Sequence, residues 1–359
     1  MIIGNRLFFY LIIYVMKNIL RSLFVLLLVV VITSCSNDDD FSYKVISYDN
    51  PEIDLNIPKD FPDINTYAYN NMPTQYGVEL GEKLFNDKRL SADNTISCAS
   101  CHMQENAFAD HHAIGIGIEG RVGLRNAPPV QNMIFMQAYN WDGNKLELEE
   151  QPLVPIITYE EMDSSILEVI EKIENEEEYV DLFNKAFNGE GVTANGIYNS
   201  IAQYEYTLIS ANSKYDKVKR EEGETFTESE ALGYSVFQEK CMSCHSTELF
   251  TDQSYRNIGF PINPSTEEGG RSRVTGEIED YLKFRVPSLR NIEYTAPYGS
   301  FGQFATLKEV LDYLNNGVLE ADNLDPILKE NNNKIPLTEV EKENLIAFMK
   351  TLSDEEFIN

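Results

Sequence analysis

The pentapeptide C-x-x-C-H occurs twice in this chain, as Cys98–Cys101–His102 in SCASCHM and as Cys241–Cys244–His245 in KCMSCHS. The two copies take up all but one of the 5 cysteines and half of the 4 histidines. Two cysteines at this spacing sit on one helical turn, where each can add to a haem vinyl group. The next residue then turns its imidazole toward the iron, so the motif reads as covalent haem c attachment. Cys98, Cys101, Cys241 and Cys244 are thus expected to anchor two haem c groups, with His102 and His245 as proximal ligands. A four-thiolate zinc centre would need the two pairs to converge and would give the adjacent histidines no role. A thioredoxin-like dithiol needs a βαβ setting that is absent from the pattern.

The fifth cysteine belongs to a different problem. Residues 16–35, MKNILRSLFVLLLVVVITSC, begin with Lys17 and Arg21, continue as an apolar run and end on small residues before Cys35. These are the n-region and h-region of a secretory signal. The cysteine after I-T-S resembles a bacterial lipoprotein box, which implies lipidation of Cys35 after removal of residues 1–34. Translation from Met16 is an alternative start, since residues 1–15 add an apolar stretch that no signal needs. The competing reading is an uncleaved anchor, but Asn18 and Arg21 interrupt it. Residues 35–71 follow as a tether, acidic in SNDDD and broken by Pro51, Pro58 and Pro62, with little to bury. Anchoring to the outer membrane through the lipid alone, on its periplasmic or outer face, is the expected location.

The formal charge is −29, and residues 1–34 contain Arg6, Lys17 and Arg21 but no acid. Loss of the signal therefore makes the charge more negative still. Such a surface repels nucleic acid and anionic headgroups and favours basic partners. With one cysteine for lipid and four for haem, a disulfide framework is excluded.

The mature chain reads as mostly α, organised as two cytochrome c-like haem domains with long loops, at residues 72–220 and 221–359. In the first, residues 74–87 place Val78, Leu80, Leu84 and Phe85 on one face ahead of the first motif. In the second, Thr227 and Glu230 form a capping box, and Ala231, Leu232, Val236 and Phe237 form an apolar stripe ahead of the second. Between them lie a helical run at 164–187, expected to break near Asn175, and another at 196–210. Runs at 306–317, closed by a glycine, and 338–354 complete the pattern. No strand of useful length is expected.

The histidines left over are His111 and His112, either of which could swing back to the first haem as a sixth ligand. The second haem has none left. A six-coordinate haem transfers electrons, whereas an open position admits peroxide.

The blocks GEKLFNDKRLSADNTISCASCH (81–102), LRNAPPVQN (124–132), WDG (141–143), EEQ (149–151), FRVPSLRNIEYTAPY (284–298) and TLKEV (306–310) occur in this order. In them the chain resembles the bacterial di-haem cytochrome c peroxidase family, including its tryptophan-modifying MauG-like relatives. The resemblance implies that the first haem reduces H2O2 to water and that the second receives electrons from a small donor protein, a cytochrome c or a cupredoxin. It implies catalytic roles for Glu161 and Gln151 in the distal pocket and for Trp141 between the haems. It implies one calcium ion at Asn126, Thr295 and Pro297, and it brings a homodimer into view. A carboxylate in such a pocket can take a proton from peroxide and return it to the leaving oxygen; Glu160 is the competing neighbour of Glu161.

Two departures stand out. The family's distal histidine comes from the loop before L-R-N, where this chain has GIGIEGRVG (115–123) and no histidine. The family's methionine or tyrosine ligand to the second haem aligns with Leu314, which leaves Tyr313, one position earlier, as the candidate sixth ligand. Oxidation of a protein or organic substrate is the alternative function within the enzyme class. A non-catalytic di-haem electron carrier is the alternative outside it.

Overall fold

Each C-x-x-C-H motif follows a helix that buries glycine rather than a large side chain where it meets its partner. In the computed structural model the helices that position the site are α1 (Gln75–Phe85), α2 (Leu153–Ile157), α3 (Ile166–Ile173), α4 (Glu177–Ala186), α5 (Ala194–Thr207), α6 (Lys214–Lys219), α7 (Glu228–Lys240), α8 (Leu307–Asn316) and α9 (Glu339–Lys350). α1 packs on α5 and α7 on α9. A Cβ on Gly81 would lie 1.9 Å from the Ser200 carbonyl oxygen, and one on Gly233 would lie 1.9 Å from that of Asn344. Both pairs therefore meet backbone to backbone.

The structure describes residues 14–18, 47–262, 266 and 268–359. Cys35 lies outside the described residues; residues 14–18 are helical. No helix among the described residues is long and apolar enough to cross a membrane.

Local signals account for the helix ends. Ser165 with Glu168, Thr227 with Glu230, Thr306 with Glu309 and Thr338 with Glu341 each form a reciprocal capping box. The run at 164–187 breaks between α3 and α4, around Asn175, as expected. The stripe on α7 needs correction: Gly233 and Phe237 are buried, while Leu232 is 50% exposed and Ala231 is also exposed. Docking of Gly233 against Asn344 sets the rotation of the helix, and a count of apolar side chains does not register a glycine contact. Among the described residues the strand content is one short antiparallel pair, β1 (Tyr255–Arg256) with β2 (Phe284–Arg285).

One hydrophobic cluster gathers Leu80, Leu84, Phe85, Phe183 and Ile201, with Cys98 and Ala99 against it. A second gathers Phe237, Phe250, Leu311, Leu345 and Phe348, with Cys241 against it. A buried polar seam crosses between the earlier and later parts of the chain. Arg290 makes a two-pronged ion pair with Asp216 at 2.8 and 2.9 Å, and Asn291 donates to Gln131 at 2.6 Å.

The glycine contacts carry a prediction. Gly233→Val should lower unfolding stability by about 1–3 kcal/mol or more, because the helices must separate to admit the side chain. Ala231→Val, on the exposed face of the same helix, should cost only the small propensity difference of about 0.5 kcal/mol. Urea midpoints of the haem-loaded proteins test this; equal midpoints would refute the backbone contact.

Candidate active site

The two motifs are built alike. Cys98–Ser100 forms a 3-10 turn in which Ser97 and Ser100 cap each other, and the His102 amide donates to the Cys98 carbonyl at 2.9 Å. The His245 amide donates to the Cys241 carbonyl at 3.0 Å. His102 Nδ1 lies 2.9 Å from the Phe108 carbonyl, and His245 Nδ1 lies 3.0 Å from that of Phe250. A carbonyl only accepts, so each Nδ1 carries the proton and each Nε2 keeps its lone pair for a metal. Phe108 and Phe250 both have left-handed backbones, with φ of 58° and 54°. That conformation costs a non-glycine residue about 1–3 kcal/mol, and at both sites it occurs in the residue whose carbonyl holds the imidazole. The Pro128 and Pro287 carbonyls bear on the same two rings, which ties the LRNAPPV and FRVPSLR blocks to the ligands.

Burial holds both imidazoles below the usual histidine range, and so neutral, as iron ligation requires. It pushes the Cys101 and Cys241 thiols up to about 12, and the Cys98 and Cys244 thiols up as well. Thiols in this state are poor thiolate ligands for a metal.

The charge of Glu161 bears on both Cys98 and Cys101. Burial, with the charge of Glu160 second, raises its carboxyl above the ordinary carboxylate range. The residue is nevertheless exposed at the protein surface. The Ile118 amide donates to the Glu161 carbonyl at 2.9 Å, and a Cβ on Gly117 would meet the Glu160 carbonyl at 2.1 Å. The 115–123 loop thus braces the segment, with buried Ile118 and no imidazole at its centre. Gln151 closes the turn ahead of α2, its amide donating to Leu148 at 2.9 Å.

The second motif opens onto a cavity lined by Cys241, Cys244, His245, Trp141, Leu314 and Met349. Asn126, Thr295 and Pro297 reach the same cavity. Trp141 donates its indole N–H to the Asn126 carbonyl at 2.9 Å and meets Phe284 edge-on at 6.5 Å. The structure does not bring Tyr313 to this cavity. Its hydroxyl donates to the Gly259 carbonyl at 2.8 Å and accepts from the Leu319 amide at 3.2 Å, between Phe260 and Phe304. Successive residues on a helix point about 100° apart, and on α8 it is Leu314 that faces in.

Sequence reasoning missed Arg285 and Glu205. Arg285 lines the cavity, and burial lowers its pKa. Its contacts are Met136 Sδ and the Asn140 carbonyl, both at 3.4 Å, with no carboxylate paired to it among the described residues. A cation so placed suits the propionates of a haem, and its position beside the FRVP proline was the available signal. Glu205 on α5 is buried; burial and Glu149 push it up to about 8, so it is mostly protonated at neutral pH. Nothing in its local sequence marks it.

The donors fit haem at both motifs: paired thiols, a neutral imidazole whose Nε2 keeps its lone pair, and at the second a guanidinium on the cavity wall with no paired carboxylate among the described residues. For calcium, the Asn126 amide nitrogen is engaged by the His112 carbonyl at 2.8 Å, which leaves its oxygen as the donor, and Thr295 and Pro297 line the same cavity. Neutral oxygens of this kind suit calcium.

An α-helical scaffold carrying two such centres defines a di-haem c-type protein. The di-haem cytochrome c peroxidase family profile matches residues 75–224. The chain is 35% identical to the cytochrome c551 peroxidase of Nitrosomonas europaea over 284 residues, 78% of this chain and 80% of that protein. It is 29% identical to the methylamine utilization protein MauG of Methylophilus methylotrophus over 296 residues, 81% of this chain and 86% of that protein. Among solved structures, a MauG-like protein associated with microbial copper homeostasis superposes with a TM-score of 0.78 at 30% identity, covering 86% of this chain and 97% of that one. The chain belongs to the bacterial di-haem cytochrome c peroxidase family. It is a haem-dependent peroxidase with two covalently bound haem groups, and an extracytoplasmic location is consistent with that family.

Proposed function

We propose that H2O2 is reduced over the His102 motif, with Glu161 as the acid–base group, and that electrons enter at the His245 motif from a small cytochrome c or cupredoxin. The observation that carries this reading is the bearing of Glu161, raised by burial, on the first cysteine pair. When bound, the haem supplies the iron and the electrons for cleavage of the O–O bond. Glu161 takes a proton from peroxide and returns it to the departing oxygen, and Gln151 orients the peroxide. Trp141, reaching from Asn126 to the second cavity, lies on the electron path. Residues 72–220 and 221–359 then form one haem domain each. Asn126, Thr295 and Pro297 hold a calcium ion, Cys35 carries the lipid that ties the protein to the outer membrane, and a homodimer is the assembly expected.

In the resting ferric protein the first haem should be wholly or partly high-spin, because Ile118 rather than histidine occupies the bracing loop. Low-temperature EPR with two purely low-spin signals would overturn this. Tyr313 would have to leave two hydrogen bonds to ligate the second iron, so water or Met349 is the better sixth ligand. The sulfur-to-iron charge-transfer band in the oxidised protein identifies the methionine, and its absence excludes it.

The second reading, oxidation of a protein or organic substrate, is favoured by the similarity to the MauG-like protein. Product analysis on candidate substrates, set against H2O2 turnover with a reduced donor protein, separates the two.

A further inference from the structure

The two histidines that haem attachment leaves over lie together on the surface beside Asp110. His111 and His112 are exposed and their rings stack at 3.9 Å, inclined by 37°. The carboxylate behind them is 1% exposed. Asp110 Oδ1 accepts from the His112 backbone N–H and from its ring Nδ1, both at 2.8 Å. Nδ1 then carries the proton, and Nε2 presents its lone pair outward. Asp110 Oδ2 is buried, and no donor among the described residues reaches it. A buried carboxylate oxygen without a donor is costly, so Asp110 calls for more positive charge than a neutral imidazole supplies. One ligand atom from each of the three residues lies within 4.8 Å of the other two, and rotation of the exposed His111 ring can bring its nitrogen toward His112 while the Asp110–His112 hydrogen bond is kept.

We propose that His111 and His112 form a binding site for a divalent transition-metal ion, with Asp110 as the positioning carboxylate behind His112. A carboxylate–imidazole pair of this kind fixes the tautomer and raises the basicity of the ligating nitrogen. Imidazole nitrogens suit zinc, nickel and copper, and among these divalent ions copper binds tightest. The site is distinct in chemistry from the one proposed for calcium, which uses neutral oxygens. The connection between them is the Asn126 amide, which donates to the His112 carbonyl at 2.8 Å.

The histidine inventory makes the test clean. The chain holds 4 His, and His102 and His245 are the haem ligands. Untagged, haem-loaded protein is incubated with Cu2+, passed through a desalting column and analysed for metal, then examined by EPR. One copper beside two irons is expected, with nitrogen superhyperfine structure from imidazole. His111→Ala/His112→Ala, both on the surface, should lose that copper and that pattern while keeping both haems. Asp110→Asn should weaken Cu2+ binding about 10–100-fold. Retention of the copper or of the nitrogen pattern in the double histidine variant overturns the proposal. So does a low-spin haem signal in the resting wild type that disappears in that variant, since the imidazole would then belong to the first haem.

Discussion

Glu161→Gln should react with H2O2 at least about 10²-fold more slowly than the wild type, the scale on which a positioned acid–base group contributes. The substitution keeps the shape and the hydrogen-bonding capacity of the side chain and removes the base. Both haems should stay attached and the resting spectra should be nearly unchanged, so stopped-flow rates report the proton transfer alone. Glu160→Gln is the control and should be close to silent, because it is Glu161 whose charge bears on Cys98 and Cys101. The pH profile adds a signature. The base works ionised, and burial with the charge of Glu160 raises its pKa above the ordinary carboxylate range. The wild-type rate should therefore fall as pH drops through that raised pKa, and the Gln variant should lack this acid limb. Equal rates for wild type and Glu161→Gln would end the assignment, and a large loss in Glu160→Gln would move it by one residue.

Removing either cysteine pair should separate the two centres. After acid–acetone extraction, the wild type should exceed its polypeptide mass by two haem groups, and Cys98→Ser/Cys101→Ser by one. Cys241→Ser/Cys244→Ser should also retain one. Retention of two haems by either variant would refute covalent attachment at that pair. The functional losses should differ. Without the first pair, consumption of H2O2 should drop to the rate of protein-free solution. Without the second, the reaction with H2O2 should survive while turnover with a reduced donor is lost. Peroxide turnover in Cys98→Ser/Cys101→Ser would place the chemistry at His245 instead.

The helix ends and the break near Asn175 were legible in the sequence, as were the two C-x-x-C-H motifs, because each depends on residues close together in the chain. A C-x-x-C-H pair specifies attachment by spacing alone, and a capping box needs three intervening residues and no distant partner. Even the absence of histidine from the 115–123 loop could be read directly. The candidate acid–base residue was legible only as one of two neighbouring glutamates, and the second haem's ligand only as a question about the end of α8.

What the sequence by itself determined, then, is that two C-x-x-C-H motifs stand ready for two haems, each with one candidate imidazole. Tertiary structure alone decided where side chains point. It brought the charge of Glu161 to bear on Cys98 and Cys101, directed the Tyr313 hydroxyl to the Gly259 carbonyl, set Arg285 on a cavity wall with no paired carboxylate among the described residues, and aimed the Phe108 and Phe250 carbonyls through left-handed backbones. The reason is geometric. Helical rotation is set by what each helix packs against, and on α1 and α7 that contact is made by Gly81 and Gly233, whose lack of a side chain hides it from any hydrophobic pattern.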